Sequence, residues 1–192
     1  MAAPVAAVVI GGSAGSLEVL RAIVRELPQS LPCPVVIVIH LPSHSSGLAA
    51  LLGADTGLRV KQAEDKEPIA AGTIYIAPPS YHLLIESQRS FALSVDAPVH
   101  FSRPSIDVLF ETACDVYGAS LVGVLLSGAS EDGAAGLQEI HAAGGTTIVQ
   151  SPLSAEVAIM PAAAMALFEP SHVWSPNEIA SGLTQLLSAR SS

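Results

Sequence analysis

Positive charge is scarce in this sequence. Only 8 lysines and arginines stand against 17 aspartates and glutamates, a formal net charge of -9, and binding to nucleic acid rests on phosphate neutralisation by such cations. Nucleic acid is thereby excluded as the main partner. Cysteine is nearly absent too. Cys33 and Cys114 are the 2 present, too few for a disulfide framework or a metal cluster, and both read as packed thiols. Long apolar runs are missing although 50% of the residues are hydrophobic. Stretches such as Val35 to Ile39 and Leu121 to Leu126 are strand-sized and fall far short of the roughly 20 residues a membrane helix needs, which excludes membrane insertion. No basic n-region or cleavage site marks the N-terminus, so the cytoplasm is the expected compartment. With no internal repeat, low-complexity tract or linker, residues 1–192 read as a single domain.

What is present alternates. Short β-branched runs, Val5 to Gly11, Pro34 to His40, Leu121 to Ser127, Thr146 to Gln150 and His172 to Trp174, are separated by helical spacings. Leu17, Leu20, Ile23, Val24 and Leu27 form one such pattern, Ile106, Leu109, Phe110 and Ala113 another, and Asn177 to Leu187 a third. The pattern predicts an α/β fold: a doubly wound, mostly parallel sheet with helices on both faces. Thr73 to Ala77, Tyr81 to Glu86 and Phe91 to Val95 break the rhythm and read as an antiparallel hairpin inserted mid-chain. Ser188 to Ser192 read as a frayed end.

Ligands of open α/β sheets bind past the carboxyl ends of the strands. Three such ends carry chemistry. The first runs Gly11-Gly12-Ser13-Ala14-Gly15, a G-x-S-x-G match at a strand-to-helix turn that would expose the serine hydroxyl and place the Ala14 N–H to stabilise an oxyanion. The competing explanation is that Ser13 or Ser16 caps the helix. A dinucleotide reading fails on spacing, because the second glycine falls where Ser13 stands and the second strand ends in His40 rather than an acid. The Walker lysine is missing as well. His40 is placed to take the serine proton, or to be satisfied by backbone at a strand end. His44 follows, but Pro42 interrupts any helix that would pair the two on zinc. Asp132 could orient the imidazole or cap the helix after it. Nucleophile, base and acid at three strand ends together favour catalysis.

These residues resemble the catalytic domain of the chemotaxis protein-glutamate methylesterases, CheB. The matching pieces are Ile10 to Gly15, Val38 to Leu41, Ile74 to Pro79 with His82, Ser102 to Phe110, Leu126 to Leu137, and Gly144-Gly145 through Gln150, Ala155 and Met160-Pro161, in order over nearly the whole chain. The resemblance implies hydrolysis of γ-glutamyl methyl esters on the cytoplasmic helices of chemoreceptors with release of methanol, and deamidation of receptor glutamines. It implies Ser13 as nucleophile, His40 as base and Asp132 as acid, with no metal or organic cofactor. The methylated chemoreceptor is then the partner, with a separate response regulator or methyltransferase as a further one.

This chain departs from the family pattern in places. The family often has Thr-Gly-Met-Gly where Ser127-Gly128-Ala129-Ser130 stands, and the methionine position gives a backbone N–H to the oxyanion hole. Ala129 keeps that N–H provided the turn is kept, and Ser130 bears on the turn because serine, unlike glycine, resists positive φ. Ser16 replaces a second glycine. The receiver domain that usually precedes the family's catalytic domain is missing from the sequence, which implies basal activity without phosphorylation. Arg103 either faces the receptor helix or pairs with Asp107, and Glu131 reads as a solvated neighbour. Two other functions remain open at this level: a non-catalytic module that binds a receptor or signalling partner, and an esterase or amidase for another substrate.

Overall fold

The computed structural model describes residues 4–41 and 47–188. In chain order the elements are β1 (Ala7–Gly12), α1 (Leu17–Glu26), β2 (Val35–Ile39), α2 (Leu48–Gly53), β3 (Arg59–Gln62), β4 (Thr73–Ile76), β5 (His82–Ile85), β6 (Phe91–Ser94), α3 (Ile106–Tyr117), β7 (Leu121–Leu125), α4 (Ala134–Ala142), β8 (Thr146–Gln150), α5 (Ile159–Leu167), β9 (His172–Trp174) and α6 (Pro176–Ser188). Seven strands form one sheet in the order β3-β4-β2-β1-β7-β8-β9, every pairing parallel. β5 and β6 form a separate antiparallel pair.

Strands β1, β2, β4 and β7 are buried at every residue, as uninterrupted β-branched runs require when helices cover both sheet faces. On one face, Val19, Leu20, Ile23 and Val24 of α1 meet Ile179 and Leu183 of α6 over Ile10, Ile37 and Val124. On the other, Leu109 and Phe110 of α3, Leu137 and Ile140 of α4 and Met160 of α5 cover Val9, Val38 and Leu125, with Phe91 of the hairpin on the flank. Each such side chain, fully buried, contributes about 1.5–3 kcal/mol.

The sequence reading is corrected in the middle of the chain. Thr73–Ile76 is not part of the hairpin but a central parallel strand on β2, and its four buried residues lack the polar alternation of a half-exposed hairpin strand. Edge strand β3 escaped notice because Arg-Val-Lys-Gln carries no apolar run. α2 and α5 were likewise not foreseen, being short and rich in alanine, whereas α4 is the helix expected after Asp132. Pro161 is tolerated in α5 because it sits in the first turn, where no intrahelical N–H bond is lost. His44 and Pro42 lie outside the described residues, as do residues 189–192 of the expected frayed end, while Ser188 closes α6.

Close approach fixes α3 against the sheet. A Cβ on Gly11 of β1 would collide with the side chain of Ile106, the first residue of α3, and one on Gly133 would lie 2.7 Å from it. Gly133 also takes φ 97°, a left-handed conformation that other residues adopt only at a cost of about 1–2 kcal/mol. The N-terminus of α3 is thereby held beside the ends of β1 and β7.

Candidate active site

Three loops meet where adjacent strands β2, β1 and β7 end. After β1 the chain turns at Ser13, and the turn is held from inside. The Ser13 N–H donates to the Ser127 carbonyl at 2.9 Å, and the fully buried Ser16 donates its hydroxyl to the Ser13 carbonyl at 2.6 Å. Ser16 stands at the N-cap of α1 without making a side-chain cap bond, so neither serine acts as the cap that competed with the catalytic reading. Gly15 completes the turn at φ 77°, and Glu156 occupies the space a side chain there would need.

His40 extends β2 by one residue, its N–H donating to Gly12 O at 3.0 Å. Its Nε2 lies 2.7 Å from Asp132 Oδ2. Asp132 is fully buried and caps not the helix that follows it but α3. It accepts from Ile106 N at 2.7 Å, Asp107 N at 3.0 Å and Ser105 Oγ at 2.7 Å, while Ser105 itself caps α3 by accepting from Val108 N. Burial alone would raise the Asp132 pKa, but the bonds from His40, from these two amides and from Ser105 outweigh it and hold the carboxyl below its ordinary value. Its contribution to stability is thus present above the ordinary carboxyl range and lost only as pH falls through the lowered folded value.

With Nε2–H donating to Asp132, Nδ1 is left as the basic nitrogen. Its partner is the hydroxyl of Ser102 at 3.4 Å. No hydrogen bond joins Ser13 Oγ to His40 among the described residues; such contacts commonly tighten only when substrate is bound. The structure therefore brings His40 and Asp132 into direct contact, and places Ser13 on the strand end hydrogen-bonded to His40. Ser102 and Ser105 were missed in the sequence, though both flank Arg103 in a segment already singled out. Ser105, immediately before the apolar helical run that begins at Ile106, was a legible cap signal.

The N–H groups of Ala14 and Ala129 take part in no backbone–backbone hydrogen bond among the described residues. Neither Ala129 nor Ser130 takes a positive φ, so serine is accommodated, and its hydroxyl accepts from Asp132 N at 3.1 Å. Ser127 ties the turns together: its hydroxyl donates to Ala14 O at 2.7 Å and accepts from Val157 N at 2.9 Å. Gly128 packs against Ser13, where an added Cβ would lie 2.9 Å from that residue's own Cβ. Arg103 does not pair with Asp107. It donates to the carbonyls of Val95 and Asp96 at 2.9 and 3.0 Å, and His100 instead lies 3.4 Å from Asp107 and 3.3 Å from Glu131. Glu131 is exposed, as expected of a solvated neighbour. Among the described residues, no group of His, Cys, Asp and Glu is arranged to hold a metal ion, and no helix is long and apolar enough to cross a membrane. Cys33 is buried, which pushes its thiol up to about 12.

Asp107 is the second buried carboxyl here. Burial raises its pKa from 3.8 to about 6, against the bond from Gly136 N at 2.7 Å, with the nearby Asp132 charge adding to the rise and His100 opposing it. A carboxyl that binds its proton more tightly when folded costs stability as pH rises through the window from about 4 to about 6, here on the order of 3 kcal/mol. Asp107→Asn retains an acceptor for Gly136. Denaturant unfolding at pH 5 and pH 8 is expected to show the wild type losing stability between the two and the variant losing little.

The CheB methylesterase family profile matches residues 8–183. A Leptospira interrogans protein provisionally named a protein-glutamate methylesterase/protein-glutamine glutaminase is 46% identical over 175 residues, 91% of each chain. The protein-glutamate methylesterase/protein-glutamine glutaminase 2 of Methanospirillum hungatei is 38% identical over 184 residues, which make up 95% of this chain but 53% of that one. The chain thus spans nearly all of the first relative and about half of the second. The Thermotoga maritima CheB methylesterase catalytic domain superposes with a TM-score of 0.91 at 31% identity, covering 96% of this chain and 100% of that one. In sequence and in fold alike, the chain belongs to the CheB methylesterase family.

Proposed function

We propose that the protein is a serine hydrolase that demethylates γ-glutamyl methyl esters on the cytoplasmic helices of chemoreceptors, releasing methanol, and that it also deamidates receptor glutamines. Its membership of a methylesterase family and the names of its relatives support this reading. The observation that carries the chemistry is the 2.7 Å contact of His40 Nε2 with buried Asp132, which leaves Nδ1 basic. In the proposed mechanism Nδ1 takes the Ser13 proton as Oγ attacks the ester carbonyl. The resulting oxyanion accepts from the N–H groups of Ala14 and Ala129. The protonated imidazole returns the proton to the leaving methoxide, methanol departs, and water enters by the same route to hydrolyse the acyl-enzyme. Asp132 keeps the imidazole in the productive tautomer and stabilises the imidazolium. A substrate on the cytoplasmic helices of receptors would put the protein in the cytoplasm, where a separate response regulator or methyltransferase would be a further partner.

A panel of methylated receptor fragments, set beside generic alkyl esters, tests the reading through methanol release. The receptor ester is expected to be the better substrate by at least about tenfold in kcat/KM, a ratio that a few contacts beyond the ester supply. Equal or faster turnover of the generic esters would reassign the enzyme to another substrate.

A further inference from the structure

We propose that Phe101 is a specificity-determining residue, an apolar anchor that seats the receptor helix over the site; the inference rests on the reading of the substrate as a methylated chemoreceptor. His100 and Phe101 occupy the left-handed region in succession, at φ 46° and φ 62°. On either side Val99 and Ser102 exchange backbone hydrogen bonds of 3.0 and 2.8 Å, which makes the pair the tip of a two-residue hairpin turn. Such turns normally carry asparagine or glycine, and a bulky residue in this conformation is strained.

The surroundings hold the turn in place. His100 is set between Asp107 and Glu131, and Arg103, just beyond the turn, is fastened to the Val95 and Asp96 carbonyls. Strain kept in this way concentrates where a site needs a side chain in one position. The side chain it positions is fully exposed, at 103% of the reference area, and so adds nothing to the core. Its neighbour Ser102 lies 3.4 Å from the basic nitrogen of His40.

The chemistry of the rim fits an apolar contact rather than an ionic one. The chain carries a net charge of -9, Glu131 lies 3.3 Å from His100 of the turn, and Arg103 directs its Nη1 at backbone carbonyls. Beyond Gly128, Ile159 is also 55% exposed, beside the Met160 that packs on Gly128. A helix bearing a neutral methyl ester, with an apolar side chain one turn away, meets these two residues without bringing unpaired charge against the acidic rim.

The test is steady-state kinetics of wild type, Phe101→Ala, Phe101→Gly and Phe101→Trp on a methylated receptor fragment and on p-nitrophenyl acetate, with melting temperatures. The Ala and Gly variants are expected to raise the receptor KM about tenfold while p-nitrophenyl acetate turnover stays within about twofold. Phe101→Trp should restore the receptor KM. Phe101→Gly relieves the strain, so it should melt no lower than wild type while still losing receptor affinity, which a merely structural turn would not do. A receptor KM unchanged in the Ala and Gly variants overturns the inference with the methylesterase reading intact. Wild type that turns over p-nitrophenyl acetate but releases no methanol from the receptor overturns both.

Discussion

Ser13→Ala is expected to lower kcat/KM for methanol release by about 10 000-fold or more, the scale seen when a hydrolase loses its nucleophile. Fold and stability should be untouched. Ser13 contributes its backbone N–H to Ser127 and its carbonyl to Ser16, and neither bond needs the side-chain hydroxyl. The residue is half-buried, so removing one oxygen opens no cavity. Methanol release by the variant within about tenfold of wild type would remove Ser13 from the mechanism. A serine-directed phosphonate gives an independent reading, since it should label Ser13 in the wild type and leave the variant unlabelled.

Asp132→Asn acts on two levels that can be measured apart. The amide oxygen can stand at either carboxylate position, one facing His40 and Ile106 N, the other Asp107 N and the Ser105 hydroxyl, and neither choice satisfies every donor. An oxygen facing Asp107 N and Ser105 keeps half of the α3 cap but presents an NH2 to Ile106 N and to His40 Nε2, forcing the opposite tautomer with the proton on Nδ1. Activity is expected to fall by roughly 10⁴-fold, the loss attached to that tautomer. Asp132→Ala goes further, stranding the buried amides of Ile106 and Asp107 and the Ser105 hydroxyl, at a cost of about 2–5 kcal/mol. Kinetics on the first variant and chemical unfolding of the second separate the two duties. Equal stability of Asp132→Ala and wild type would contradict the capping role.

Much of this was legible in the sequence for physical reasons. Parallel strands covered on both faces must be apolar without interruption, so β1, β2 and β7 announced themselves, and their ends carried Ser13, His40 and the loop to Asp132. The rule that consecutive βα units neighbour one another placed His40 beside Ser13, as the pairing of Gly12 with Ile39 bears out. Contacts between distant segments were not legible. That Asp132 caps α3 rather than α4 depends on Gly11 and Gly133 admitting Ile106, a three-dimensional fit with no local signature. The same holds for Arg103, whose partners Val95 and Asp96 are carbonyls, a type of acceptor every residue offers and no pattern marks. The hairpin lies where the sequence put it, but Thr73–Ile76 was grouped with it because that strand is short and only its complete burial distinguishes it from the strands that follow.

The double employment of Asp132 sets the order in which such a lineage can decay. A descendant relieved of selection for ester hydrolysis can drift at Ser13 freely, since no scaffold bond uses its hydroxyl. Drift at Asp132 would meet purifying selection for folding as long as any other use for the domain persisted. Descendants that have ceased to be enzymes should therefore keep the aspartate as a fossil of the site after the serine is gone.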